Sequence, residues 1–257
     1  MRITWYGTAT IGIDDGETKI IVDPFVRRNK KLENNTPIEG FSGFDGVLVT
    51  HGHFDHILDI PQLVKIDRNV SVYCTKTPAE TLEHFGVDKS RLQVVKAGET
   101  FSIGSFKITA YQSKHIVFDS SYVFSILGRC IIQFPKLFYE FSKHFRMPEN
   151  GEILMYKIES QGKSILISGS FGTVENVEYP TDCDMFILAN GGNYHIPELT
   201  RPFIEKTHPK CILVDHFDDA FPPLTKRVPV ENFRDIMKET HPEIKFIIPR
   251  ELEPVEI

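Results

Sequence analysis

Four side chains able to bind a metal fall within six residues, in the run His51-Gly52-His53-Phe54-Asp55-His56. Imidazole nitrogen and carboxylate oxygen together suit zinc, at roughly 2.0–2.2 Å from the ion. If the segment continued as a strand, His51, His53 and Asp55 would share one face. A turn at this point would instead bring all four onto one small volume. A polar loop that merely happens to be rich in histidine is the plainer reading, but clusters this dense usually mark a metal site.

The elements around the cluster are ones that could hold it still. Residues 46–50, with Val47-Leu48-Val49 at their centre, read as a short buried strand that ends at the first histidine. Before it, residues 3–6, 10–13 and 19–22 read as a meander of strands, with turns at Gly7 and at residues 14–16. After it, residues 57–66 have helical periodicity and residues 71–74 read as another strand. Thr77-Pro78-Ala79-Glu80 has the pattern of a capping box opening a helix that Gly86 ends. Strands are expected at 92–95, 100–103, 106–111, 153–158, 164–168, 185–189, 211–214 and 246–248, and helices at 197–207 and 230–240. Strands followed by a helix, twice over, predict an α/β (α+β) chain in which two sheets pack face to face with helices outside.

Composition sets bounds on partners. The chain has 257 residues, 41% hydrophobic and 25% charged, which suits one large layered domain. We read it as a single domain over 1–257 with an aromatic-rich insert at 118–150. The net charge of −6 lacks the broad basic surface of a nucleic-acid binder. No apolar run reaches the roughly 18 residues of a membrane span, so neither nucleic acid nor stable membrane insertion is expected. The opening lacks the uninterrupted apolar core of a signal peptide. Cys74, Cys130, Cys183 and Cys211 form no CxxC pair and read as reduced thiols of a cytoplasmic protein. Arg27, Arg28, Lys30 and Lys31 form the clearest basic run, either a solvated loop or a grip on an anionic substrate.

The cluster resembles the HxHxDH signature of the metallo-β-lactamase superfamily, and the opening residues 3–25, ending Asp23-Pro24-Phe25, are similar to its entry meander. The resemblance implies a four-layered αβ/βα sandwich with the site at one edge. It also implies a third histidine after a later strand, where His115 stands, and a last ligand near the C-terminus, where His216 follows a buried strand. His51, His53 and His115 would hold one metal, and Asp55, His56 and His216 the other. The chain departs from the pattern twice: Thr8 stands where many members have a histidine, and Ser170 stands where most place an Asp between the metals. The ascorbate-6-phosphate lactonase-like branch is the nearest resemblance, through the meander and Asn190-Gly191-Gly192.

That resemblance implies a hydrolase. Two metals a few ångström apart can share a hydroxide and polarise a scissile carbonyl or phosphoryl oxygen. The expected reaction is zinc-dependent hydrolysis of a small-molecule ester, lactone or phosphodiester, with Asp55 orienting the nucleophile and taking its proton. Manganese and iron are the alternative ions, and the missing bridge weakens the second site toward partial occupancy. Asp23 is either a partner of a ligand histidine or a turn cap. Tyr194 and His195, in the glycine-containing loop 190–195 just past a buried strand, are the candidates for touching substrate. Two rivals stay open: an iron-containing oxidoreductase-type relative, and a metal-dependent sensor or scaffold that is no enzyme.

The insert carries Phe134, Leu137, Phe138, Phe141 and Phe145 at helical spacing, with Pro135 suited to a first helical turn, Pro148 stopping the run, and Lys136, Lys143 and Arg146 along it. It reads as a cap on its own sheet, as an apolar wall facing substrate, as the surface of a homo-oligomer, or as a peripheral membrane helix. With the basic run at 27–31, it suggests a small amphiphile as substrate, apolar against the insert and polar or anionic at the metals.

Overall fold

The computed structural model describes residues 1–132 and 152–257. Its strands form two seven-stranded sheets. The first begins with the antiparallel meander β1 (Arg2–Trp5), β2 (Ile11–Asp14) and β3 (Lys19–Val22), and continues in parallel through β4 (Gly46–Leu48), β5 (Ser71–Cys74) and β6 (Leu92–Val94). The second repeats this plan. β7 (Thr100–Ile103), β8 (Phe106–Ser113), β9 (Ile153–Ser160) and β10 (Lys163–Ser168) are antiparallel neighbours. β11 (Met185–Ala189), β12 (Cys211–Asp215) and β13 (Lys245–Ile247) then add in parallel. A short β14 (Val255–Glu256), which the sequence pattern does not announce, caps the first sheet by pairing with β1.

Alternation along the strands explains the layering. In β3, Ile20 and Val22 point into the cluster between the sheets, while Ile21 points to the outer cluster. In and after β4, Leu48 goes inward and Val47 and Val49 outward. A sheet apolar on both faces must be covered on both. The outer face of the first sheet is covered by α2 (Ile60–Ile66) and α3 (Lys76–His84), through Ile60, Leu63, Ala79 and Leu82. The outer face of the second meets α5 (Ile196–Thr207) and α6 (Glu231–Thr240), where Phe203 packs on Phe186 and Phe233 on Phe246. The result is the expected four-layered sandwich.

Two details differ from the sequence pattern. The cap of α3 is Thr75, two residues before Thr77, and its side chain makes no cap hydrogen bond. The start of the insert is itself a helix, α4 (Ser120–Ile132), beginning upstream of the aromatic periodicity. The aromatic and basic insert residues from Phe134 to Pro148, and with them the expected cap, apolar wall, oligomer surface or membrane helix, lie outside the described residues. Among the described residues no helix is long and apolar enough to cross a membrane.

Candidate metal centre

Every element that delivers a candidate ligand ends at the same edge of the sandwich. The chain leaves β4 extended, so His51 and His53 project together. His53 then becomes the N-cap of a single-turn helix, α1 (Phe54–Ile57), with the His56 N–H donating to the His53 carbonyl at 3.1 Å. That change from extended to helical backbone splits the run. His51, His53 and His115 form one group, and Asp55, His56 and His216 another, the candidate ligand atoms of each lying within 4.8 Å of one another. The strand continuation that would align His51, His53 and Asp55 therefore does not occur.

His115 follows β8, in a loop tied to the loop after β10. The Lys114 N–H donates to the Gly172 carbonyl at 3.0 Å, and the Ile116 N–H donates to Ser170 Oγ at 3.1 Å. His216 follows β12 in the left-handed region, at φ 55°. Its N–H donates to the Thr8 carbonyl at 2.7 Å, and the Thr8 N–H donates to Asp218 at 3.1 Å. Thr8 itself has φ 49°, a strained choice for a β-branched residue. The glycine loop after β11 also serves His216: a Cβ at Gly191 would come within 2.7 Å of His216 Nδ1 and 2.9 Å of its carbonyl oxygen. The glycine there is needed for close approach, while the left-handed turn falls on Gly192 at φ 80°.

Behind the ligands sits Asp23, fully buried at φ 46°. Its carboxylate accepts from the Thr50 N–H at 2.8 Å and from the Thr50 hydroxyl at 2.6 Å. Thr50 Oγ1 is in turn 3.0 Å from His51 Nδ1. Since that hydroxyl spends its proton on Asp23, His51 Nδ1 is the donor to it, which leaves Nε2 as the lone pair toward the group. Asp23 Oδ2 also lies 2.7 Å from His56 Nδ1. That contact falls off the axis of the ring N–H, and the nitrogen lacks an aligned acceptor. It is a close electrostatic contact.

These residues fit a metal. His51 Nε2 and His53 Nδ1 approach to 3.0 Å, while His115 Nδ1 is engaged by the Ile116 carbonyl at 2.8 Å, which turns its Nε2 inward. Burial, reinforced by the neighbouring His56, His53 and His115, holds His51 well below the usual imidazole range, so it is already deprotonated for ligation. In the other group, burial would raise the Asp55 carboxyl, but His56 and His216 outweigh it and hold it well below the carboxylate range. Burial would lower His216, but the Asp55 carboxylate 3.2 Å away outweighs it and brings His216 to about 9. A cation at the second group would replace that proton.

The groups open on a cavity of about 270 Å³. Gly169, Ser170, Gly191 and Gly192 form part of its wall, and Phe54, Ile116, Phe118, Tyr122, Phe171 and Leu224 supply its apolar surface. Ser170, the residue expected between the metals, is buried and lines it. Tyr194 and His195 do not. His195 is the N-cap of α5, with its own N–H held at 2.7 Å by Asn193 Oδ1 and its ring exposed toward Asp119 at 3.9 Å. Tyr194 packs edge-on against Tyr122, between that ring and the Lys226 ammonium. Both lie outside its lining, whereas Tyr122 of α4, against which Tyr194 packs, belongs to it. The basic run is also divided. Arg27 is buried and paired with Asp218 and Glu251, while Arg28 pairs with Asp59 and lies over the Phe25 ring.

A family model described as a beta-lactamase superfamily domain matches residues 18–192, more than half of the chain. The chain belongs to the metallo-β-lactamase superfamily. It is similar to a UPF0173 metal-dependent hydrolase of Rhizobium etli, 33% identical over 115 residues, covering 45% of this chain and 48% of the relative. The chain thus spans about half the length of the first curated relatives it matches. Among solved structures it resembles Igni18, a metallo hydrolase from Ignicoccus hospitalis, at 17% identity and TM-score 0.68, covering 99% of this chain and 97% of that one. It also resembles CmlA, a diiron beta-hydroxylase from Streptomyces venezuelae, at 14% identity and TM-score 0.68, covering 100% of this chain and 54% of that one. At these identities the two structures establish a shared fold.

Proposed function

We propose that this protein is a metal-dependent hydrolase of a small-molecule ester, lactone or phosphodiester, with two divalent ions, zinc foremost. The observation that carries the reading is the pair of three-ligand groups at the foot of one cavity. Three protein ligands per ion leave positions open for water and substrate, as catalytic sites require. When bound, the ions would supply Lewis acidity and an activated water.

The chain's own residues do the rest. Asp23 and Thr50 fix the His51 tautomer, and Asp55 stands where it can orient the attacking water and take its proton. The apolar walls limit bulk water around the reacting bond. All donors being nitrogen or oxygen, the set accommodates manganese or iron as well as zinc, so metal identity belongs in the test. Elemental analysis of the purified protein should find between one and two divalent ions per chain. The metal-loaded protein should hydrolyse generic esters or phosphodiesters, and chelation should abolish turnover. A protein that binds no divalent ion, or that binds ions and turns over neither class, would overturn the reading and leave a sensor or scaffold.

A further inference from the structure

Tyr122 stands on the first turn of α4 and lines the cavity, although its ring is otherwise buried. Its phenol lies near the backbone N–H of Lys226, and as a hydroxyl it can donate one hydrogen bond. Burial, with Tyr194 and Asp55 nearby, pushes the phenol up to about 12, which keeps it a neutral donor. The other lining hydroxyls are differently committed. Thr225 donates to Asp219 and accepts from the Phe221 N–H, and Ser170 accepts from the Ile116 N–H among the ligand loops.

The remaining wall is apolar, and among the described lining residues there is no Lys or Arg. The nearest arginine of α4, Arg129, is spent on the Thr225 carbonyl and the Asp219 carboxylate. These contacts fasten α4 to the loop carrying Leu224 and Thr225, which fixes Tyr122 relative to the opposite wall. A cavity of about 270 Å³ lies at the lower end of small-molecule sites. It has room for a compact substrate, and away from the candidate ligands its walls carry the hydroxyls of Tyr122 and Ser170 as proton donors.

We propose that Tyr122 contacts the substrate as a hydrogen-bond donor, and that the substrate is a small uncharged carboxylic ester or lactone. Its carbonyl oxygen meets the phenol and its apolar flank lies on Phe118, Phe171 and Leu224. The inference rests on the hydrolase reading above and narrows it. In the reaction one water is consumed. Its oxygen bonds to the acyl carbon and the acyl C–O bond breaks. One proton ends on the leaving oxygen and the other is released from the acid product. The Tyr122 hydroxyl donates to the oxygen on which negative charge grows, and keeps its proton throughout.

The test uses the metal-loaded protein, its Tyr122→Phe variant, and two probes, 4-nitrophenyl butyrate and bis(4-nitrophenyl) phosphate. The ester should be preferred at least tenfold in kcat/KM, a threshold of about one hydrogen bond's discrimination. Tyr122→Phe should lower kcat on the ester by about 10²-fold, the usual scale for one oxyanion donor, with metal content unchanged. Independently of turnover, fluorine-19 NMR titration of the metal-free protein with uncharged N-(4-fluorophenyl)butanamide should show binding that Tyr122→Phe weakens about tenfold. Absence of turnover of both probes by a metal-loaded parent would defeat the hydrolase reading, and the NMR titration would still decide the role of Tyr122. Preference for the phosphodiester would overturn the substrate class. Unchanged kcat and unchanged amide binding in Tyr122→Phe, or loss of metal or fold in that variant, would make Tyr122 structural and end the inference.

Discussion

Oδ2 of Asp23 lies 2.7 Å from Nδ1 of His56, while the same carboxylate reaches His51 through the Thr50 hydroxyl. One buried acid thus lies against a histidine from each candidate metal group, holding His51 through the Thr50 hydrogen bond and facing His56 by charge alone. It acts on ring orientation from behind, without itself belonging to either group.

Replacing it should therefore cost metal affinity at both groups. Asp23→Asn keeps the size but cannot accept from Thr50 N–H and Thr50 Oγ1 while also facing His56 Nδ1, since one of its two atoms becomes a donor. Loss of such an outer partner typically costs 10–100-fold in metal affinity, so a drop of about that size is expected for both ions. Competition against a coloured chelator measures it. A drop at one ion alone would show that Asp23 braces only one histidine, and unchanged affinities would reduce it to a turn residue.

The same acid makes position 169 intolerant of a side chain. A Cβ on Gly169 would fall 1.9 Å from Thr50 Oγ1 and 2.6 Å from Asp23 Oδ2. Neither atom can retreat, because both are buried and hydrogen-bonded to each other. Gly169→Ala should lower the melting temperature and weaken the first ion more than the second, since Thr50 serves His51. Equal stability and equal metal binding in the variant would mean that the loop after β10 yields freely.

The cluster from His51 to His56 was legible because four ligand types stood within six residues after an apolar strand, a local signal that needs no tertiary context. His115 and His216 came from the family pattern: each is a lone histidine after a strand, which sequence alone does not single out. The two sheets were legible from strand spacing, but β14 has two residues and depends on pairing with the distant β1. Tyr122 was not legible. Its place follows from α4 being fastened by Arg129 to a loop about ninety residues away, and no local pattern encodes that contact. The same applies to Arg27. It looked like part of a solvated basic run, yet Asp218 and Glu251, far along the chain, draw it into the interior.

Acid should weaken the fold in a window set by Asp15. This carboxylate, in the turn between β2 and β3, accepts from the hydroxyls of Ser105 and Ser160 on the second sheet and from the amides of Glu17 and Thr18. Burial raises its pKa, but those hydrogen bonds outweigh it and hold it at about 2, against 3.8 unperturbed. A carboxyl depressed on folding contributes stability that is fully present above the unfolded value and is lost as pH falls through the folded one. The contribution should thus decline between about pH 4 and pH 2. Melting curves at pH 6 and pH 3 should show a smaller acid-induced drop in Asp15→Asn than in the parent. An equal drop in both would assign the acid sensitivity to other groups.

Ser170 ties the His115 loop to the cavity wall. Its Oγ accepts the Ile116 N–H, and its side chain lines the cavity with Asp55, His56 and His216. A carboxylate at this position could still accept that N–H, so Ser170→Asp need not disturb the His115 loop. It would add a negative charge where the second group has only Asp55. Unit charges about 4 Å apart attract by roughly 4 kcal/mol at an effective dielectric near 20, before the cost of burying the new acid and its repulsion by Asp55. A net gain of even a third of that is a tenfold tighter second ion. Titration calorimetry with zinc on the two proteins should show that gain for the second ion, with the first changed less. Equal affinity for the second ion would show that position 170 does not reach the metals, and that the serine there serves only to tie the His115 loop.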